Sequence, residues 1–153
     1  MKTKLQKATI FFVVLAIGFA SCSDDDDNLS NNDVKTEIEN NVKNNAWRIT
    51  KYIDSGDDEL NHFTGYNFTF GDGNVLTANN GTNNYTGTWS VSSSNSSDDS
   101  QDDLHFNIFF ASPSDFQELS DDWDIVSQSS VKIELIDVSG GNGGTDYLTF
   151  EKN

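Results

Sequence analysis

Tyr66-Asn67-Phe68-Thr69-Phe70-Gly71-Asp72-Gly73-Asn74-Val75-Leu76 is the stretch that decides the fold. Aromatic residues alternate with small polar ones over its first five positions, the period of a strand with one buried face. Gly71 to Asn74 is a tight hairpin signal, and Val75 and Leu76 open a returning strand that ends near Ala78. The same period extends in both directions. Upstream, Trp47, Ile49 and Ile53 alternate with Arg48, Thr50 and Tyr52. Downstream, Tyr85, Gly87, Trp89 and Val91 alternate with Thr86, Thr88 and Ser90. Leu104, Phe106, Ile108 and Phe110 follow, then Trp123 and Ile125, then Val131, Ile133 and Leu135, and last Leu148 and Phe150. These make eight candidate strands, each with one apolar face.

The connections suit antiparallel neighbours. Asn79 to Asn83 holds Gly81, Ser92 to Asp103 is a long polar loop, and Ser139 to Thr145 is rich in glycine. Ser112-Pro113-Ser114-Asp115 starts a turn, and Phe116 to Leu119 has the length of one helical turn. No connection is long enough for a parallel crossover. The predicted fold is therefore all-β: an antiparallel eight-stranded up-and-down meander, which loses its exposed edges by closing into a barrel. Gly87 in mid-strand suits the coiling that closure needs. Ahead of the barrel, Val34, Ile38, Val42 and Ala46 recur every four residues. That spacing predicts one N-terminal helix over 33–46, with Asn32 or Asp33 at its start, laid across an end or side of the barrel.

Nine Lys and Arg face 25 Asp and Glu, for a formal net charge of −16. Three of the nine, Lys2, Lys4 and Lys7, precede every acid. Removing that leader would leave six against 25, a balance of −19. Such a chain repels nucleic acid and anionic headgroups, which excludes direct DNA or RNA binding. One Cys forbids an internal disulfide.

The leader gives that cysteine a role. Lys2, Lys4 and Lys7 form a positive start, and Ile10 to Phe19 is an apolar run too short to span a bilayer as a helix. Phe19-Ala20-Ser21-Cys22 resembles a lipobox, at which a signal peptide 1–21 is cut and Cys22 becomes the acylated N-terminus. An ordinary secretory leader cut nearby is the competing reading. The residues Ser23, Asp24, Asp25, Asp26 and Asp27 resemble the lipoprotein export signal of Bacteroidota. That resemblance implies display on the outer face of the outer membrane, with 22–32 as an acidic lipid-anchored tether. The acidic run lacks the Gly turn and distal Glu of a calcium loop.

The segment 47–153 is similar to the lipocalin-like domains of Bacteroidota (flavobacterial-type) surface lipoproteins. Trp47-Arg48-Ile49, Tyr66 to Gly73, Gly87-Thr88-Trp89 and Leu148 to Lys152 carry the resemblance. Lipocalins hold their G-x-W on the first strand, whereas Gly87-Thr88-Trp89 falls on the fourth. The resemblance implies a non-catalytic binding module for a small apolar or amphipathic ligand or a glycan. Trp47, Tyr66, Phe68, Trp89, Phe106 and Trp123 are its candidate ligand-binding residues. Eight strands leave an interior wide enough for side chains or for one small ligand. The alternative is a solid barrel, acting as a structural or protein-interaction accessory of a cell-envelope complex. Tyr52 and Phe109 lie on the opposite faces of their strands and mark candidate docking positions.

No residue pattern points to catalysis, a cofactor or a metal. His62 and His105 lie far apart, and zinc wants more nitrogen or sulfur ligands than these provide. Asp54, Asp57, Asp58 and Glu59, and again Asp98, Asp99, Asp102 and Asp103, are oxygen-rich loops of a kind that binds calcium weakly. Asp121 and Asp122 are adjacent and so point to opposite faces of a strand, which does not suit glycoside hydrolysis. Ser114 has no nucleophile-elbow sequence around it, and Gly140 to Gly144 lacks the Lys of a phosphate loop. The expected protein is a monomer, anchored at Cys22, with a small ligand or an envelope protein as partner.

Overall fold

A computed structural model describes residues 30–43, 45–93, 104–138 and 144–153. The leader, Cys22, the run Ser23 to Asp27, the acidic loop 98–103 and most of the glycine loop lie outside these residues. Among the described residues no helix is long and apolar enough to cross a membrane.

The first element is α1, Asn31–Lys43. Ser30 caps it: its Oγ accepts from the Asp33 amide at 3.4 Å, while the Asp33 carboxylate accepts from the Ser30 amide at 3.3 Å. This is a capping box, and it starts the helix ahead of the expected Asn32 or Asp33. Val34, Ile38 and Val42 are buried as expected, but Ala46 has already left the helix and is exposed.

Nine strands follow among the described residues: β1 (Ala46–Asp54), β2 (Asp57–Asp58), β3 (Asn67–Phe70), β4 (Val75–Asn79), β5 (Asn84–Ser93), β6 (Leu104–Phe109), β7 (Asp121–Gln128), β8 (Lys132–Val138) and β9 (Thr145–Lys152). All pairings are antiparallel, in the order β2-β1-β3-β4-β5-β6-β7-β8-β9, and β1 also pairs with β9. That last ladder closes an eight-stranded up-and-down barrel. β2 is a spur outside it. Ser55 and Gly56 both have positive φ (49° and 97°) and turn the end of β1 back on itself. The expected acidic loop of Asp54, Asp57 and Asp58 is therefore a short hairpin, and two positive φ values are what a two-residue turn of this hand needs. At the β3–β4 turn Gly73 takes φ 68°, and the Gly71 amide donates to the Val75 carbonyl at 2.7 Å.

The strict alternation holds in β3 and β6 and breaks in β1. A register shift between Ile49 and Lys51 in the β1–β9 ladder turns the strand by one residue. Beyond it Tyr52 points inward and is 1% exposed, so Tyr52 is a core residue and not a docking position. Val131 keeps the phase of Ile133 and Leu135 but sits in the turn before β8, and it is exposed. Gly87 serves close packing: a Cβ there would lie 2.3 Å from the Phe109 carbonyl oxygen and 2.8 Å from the Phe110 ring.

Candidate functional site

The barrel interior is the first place to look for a site. The six candidate ligand-binding side chains all point into it. Trp47, Phe68, Phe106, Trp123 and Trp89 are almost wholly buried, and Tyr66 is nearly so. They meet other rings. Phe70 touches Trp89, Phe106 and Phe150 at centroid distances of 5.4, 5.5 and 5.4 Å, and Phe68 touches Phe150 at 5.4 Å. Most of these contacts are edge-to-face, the arrangement aromatic quadrupoles favour.

Both ends carry a cover. One is α1, which packs against β5 and β3, meets the start of β1 through Trp47 and reaches the end of β7 through the Asn41–Gln128 hydrogen bond. The other is a plug made by a 3₁₀ turn, Leu60–Phe63, and a short helix α2, Ser114–Gln117. Phe116 of α2 is the hub of the plug. Its ring lies 5.3 Å from Phe63, 5.0 Å from Tyr66, 4.8 Å from Tyr85 and 5.2 Å from Phe110.

The covers are latched by the polar tips of core aromatics. Trp47 Nε1 donates to the Val42 carbonyl of α1 at 2.9 Å. Trp123 Nε1 donates to Leu119 beyond α2 at 3.0 Å, and Tyr52 OH donates to the Glu118 carbonyl at 2.8 Å. Trp89 Nε1 donates to Gly71 in the β3–β4 turn at 3.1 Å. Each ring body fills the interior while its single donor finds a carbonyl on a covering segment or, for Trp89, on the β3–β4 turn. Burial, with Asp54 and Glu118 nearby, pushes the Tyr52 hydroxyl far above its ordinary value of 10.0. The Tyr66–Tyr85 pair stacks at 5.9 Å, and the hydrogen bond that the Tyr85 hydroxyl shares with Tyr66, more than burial, raises it.

The ionisable groups do not converge. His62 Nε2 lies 3.4 Å from Glu59, and His105 Nδ1 lies 3.1 Å from Asp124 on the outer wall. His62 Nδ1 also lies 4.0 Å from Asp115, so His62 faces two carboxylates and His105 one, and the two histidines share none. Among the described residues no group of three or more His, Cys, Asp or Glu is placed to hold a metal. Asp121 turns its carboxylate onto the Asp122 amide at 2.8 Å. Burial raises the Asp121 carboxyl, and burial with Asp54 and Asp115 raises that of Glu118.

The outer wall offers a shallow depression of about 300 Å³ lined by Asn74, Thr88, Trp89, Ser90, Asn107, Ile108 and Phe109. Phe109 is 56% exposed, as its outward position in β6 predicts. Its polar lining residues, Asn74, Thr88, Ser90 and Asn107, were not singled out by sequence pattern, because Thr, Ser and Asn on an outward face carry no chemical signature alone. Phe116 was missed for a different reason: its partners come from four separate segments.

No family model matches the chain, and neither a curated protein nor a solved structure does.

Proposed function

We propose that this chain is a surface-displayed outer-membrane lipoprotein whose barrel is filled and which works through its exterior. Cys22 carries the lipid, and Ser23 to Asp27 direct export in this reading. The resemblance to lipocalin-like domains of Bacteroidota lipoproteins supports the assignment. The role is that of a non-catalytic binding or accessory component of the cell envelope.

One observation carries the choice between a carrier and a filled barrel. The interior rings pack on one another, and both ends are covered by segments that core Trp and Tyr side chains hold in place. A ligand entering would have to displace a latched segment together with the ring behind it. The uncovered surface is the outer wall and the loops.

Localisation is tested by two variants. Cys22→Ala should release the protein from membranes. Replacing Asp24 to Asp27 with Ala should leave it anchored but facing the periplasm. Unchanged surface labelling of the second variant would refute export by the acidic run.

A further inference from the structure

The barrel wall divides its charge unequally. β3, β4, β5 and β6 are consecutive neighbours, and none carries an Asp, Glu, Lys or Arg. Each of β1, β7, β8 and β9 carries three. In a chain with 25 acids and nine bases, one half of the wall thus lacks Asp, Glu, Lys and Arg, and its one histidine, His105, lies 3.1 Å from Asp124 of β7 at its margin.

The neutral half is built of hydroxyl and amide side chains set in rows by the register. Thr69, Thr77 and Thr86 are paired across three strands, and Val75, Thr88 and Phe109 form a second row. The depression of about 300 Å³ opens at that second row. Phe109 is half-exposed there, Val75 is 41% exposed, and Asn107 Nδ2 is fixed by the Ser92 hydroxyl at 2.9 Å.

A ligand for this face has a defined chemistry. It must exchange hydrogen bonds with hydroxyls and amides. It must offer an apolar C–H face to the Phe109 ring. It needs no charge, because β3 to β6 provide no counter-charge. An anionic polymer would also meet the repulsion of a chain with net charge −16. An uncharged sugar chain meets all three conditions. We propose that the β3–β6 face binds a neutral glycan, with Phe109 as stacking platform and Asn74, Thr88, Ser90 and Asn107 as its polar contacts. This rests on the reading of a barrel that works through its exterior.

The test uses the mature chain from residue 22, kept soluble by Cys22→Ala. It is titrated calorimetrically with gluco-, manno-, xylo- and β-1,3-gluco-oligosaccharides, and with oligogalacturonate as the anionic probe. At least one neutral oligosaccharide should bind and oligogalacturonate should not. Phe109→Ala should weaken binding about tenfold or more, Phe109→Trp should retain it, and Thr88→Lys should weaken it. Both sites, Phe109 and Thr88, are exposed, and unchanged melting temperatures show that the three variants fold. Absence of binding to every neutral oligosaccharide would overturn the proposal, as would binding indifferent to Phe109→Ala. Self-association abolished by Thr88→Lys would give the face to a second copy of the chain and also overturn it. A small molecule retained inside the barrel would instead refute the underlying reading, whatever the glycans do.

Discussion

Replacing Phe116 with Ala probes whether the barrel is filled. The ring is 2% exposed and contacts Phe63, Tyr66, Phe68, Tyr85 and Phe110, which belong to the 3₁₀ turn, the segment into β3, and the starts or ends of β5 and β6. Truncation removes the transfer energy of a buried aromatic and leaves a cavity that five rigid rings refill poorly. Such changes cost about 3–5 kcal/mol. Against a total of about 5–15 kcal/mol for a domain of this size, that is a large share. The midpoint of thermal unfolding should fall by roughly 10–20 °C. Urea unfolding followed by near-UV circular dichroism should show the same loss with an unchanged slope. The new cavity is apolar, so benzene should raise the melting temperature of the variant and not that of the wild type. A loss under about 1 kcal/mol would refute the packing argument, because the ring would then border empty space. Stabilisation of the wild type by benzene would refute it too.

Other changes test other contacts. Gly87→Ala should prevent folding or cost several times the loss of an ordinary surface change, since the added Cβ meets the Phe109 carbonyl oxygen at 2.3 Å; solubility and circular dichroism read this directly. Ser30→Ala should cost about 1 kcal/mol by removing the cap of α1, measured by urea unfolding. Tyr52 is held neutral in the fold, so its contribution is complete below the ordinary hydroxyl value and is lost as pH rises beyond it. Alkaline unfolding should therefore be less steep in Tyr52→Phe, which also loses the bond to the Glu118 carbonyl, about 0.5–1.5 kcal/mol. Glu118 and Asp121 are raised by burial, so their share of stability is present at low pH and is lost as pH climbs. Replacing Glu118 with Gln and Asp121 with Asn should therefore lessen the drop in melting temperature as pH climbs out of the ordinary carboxylate range, and an unchanged pH profile would contradict the assignment.

The sequence made the barrel legible where the chain obeys a period of two without interruption. β3 and β6 are such strands, and their inward and outward residues fall as the alternation predicts. β1 is not, because the irregularity between Ile49 and Lys51 is a feature of pairing with β9, the far end of the chain. No local pattern announces it, and Tyr52 changes face as a result. The start of α1 was legible only approximately, since Ser30 and Asp33 cap it as a reciprocal pair. The latches were not legible at all. Trp47 and Trp123 bond carbonyls a few residues upstream, but Tyr52 bonds Glu118, and such partners exist only once the barrel has closed. The neutral wall is the opposite case. Its four strands can be read without charge in the sequence, yet only the register shows that they are adjacent and that Thr88 and Phe109 share a row.

Native mass spectrometry of the mature chain without its lipid, gently purified from the cell that makes it, addresses the filled barrel most directly. A bare protein mass is expected, with no thermal shift across a panel of lipids. A retained small-molecule mass, released by Trp47→Ala or Phe116→Ala, would contradict it and make the interior a carrier site.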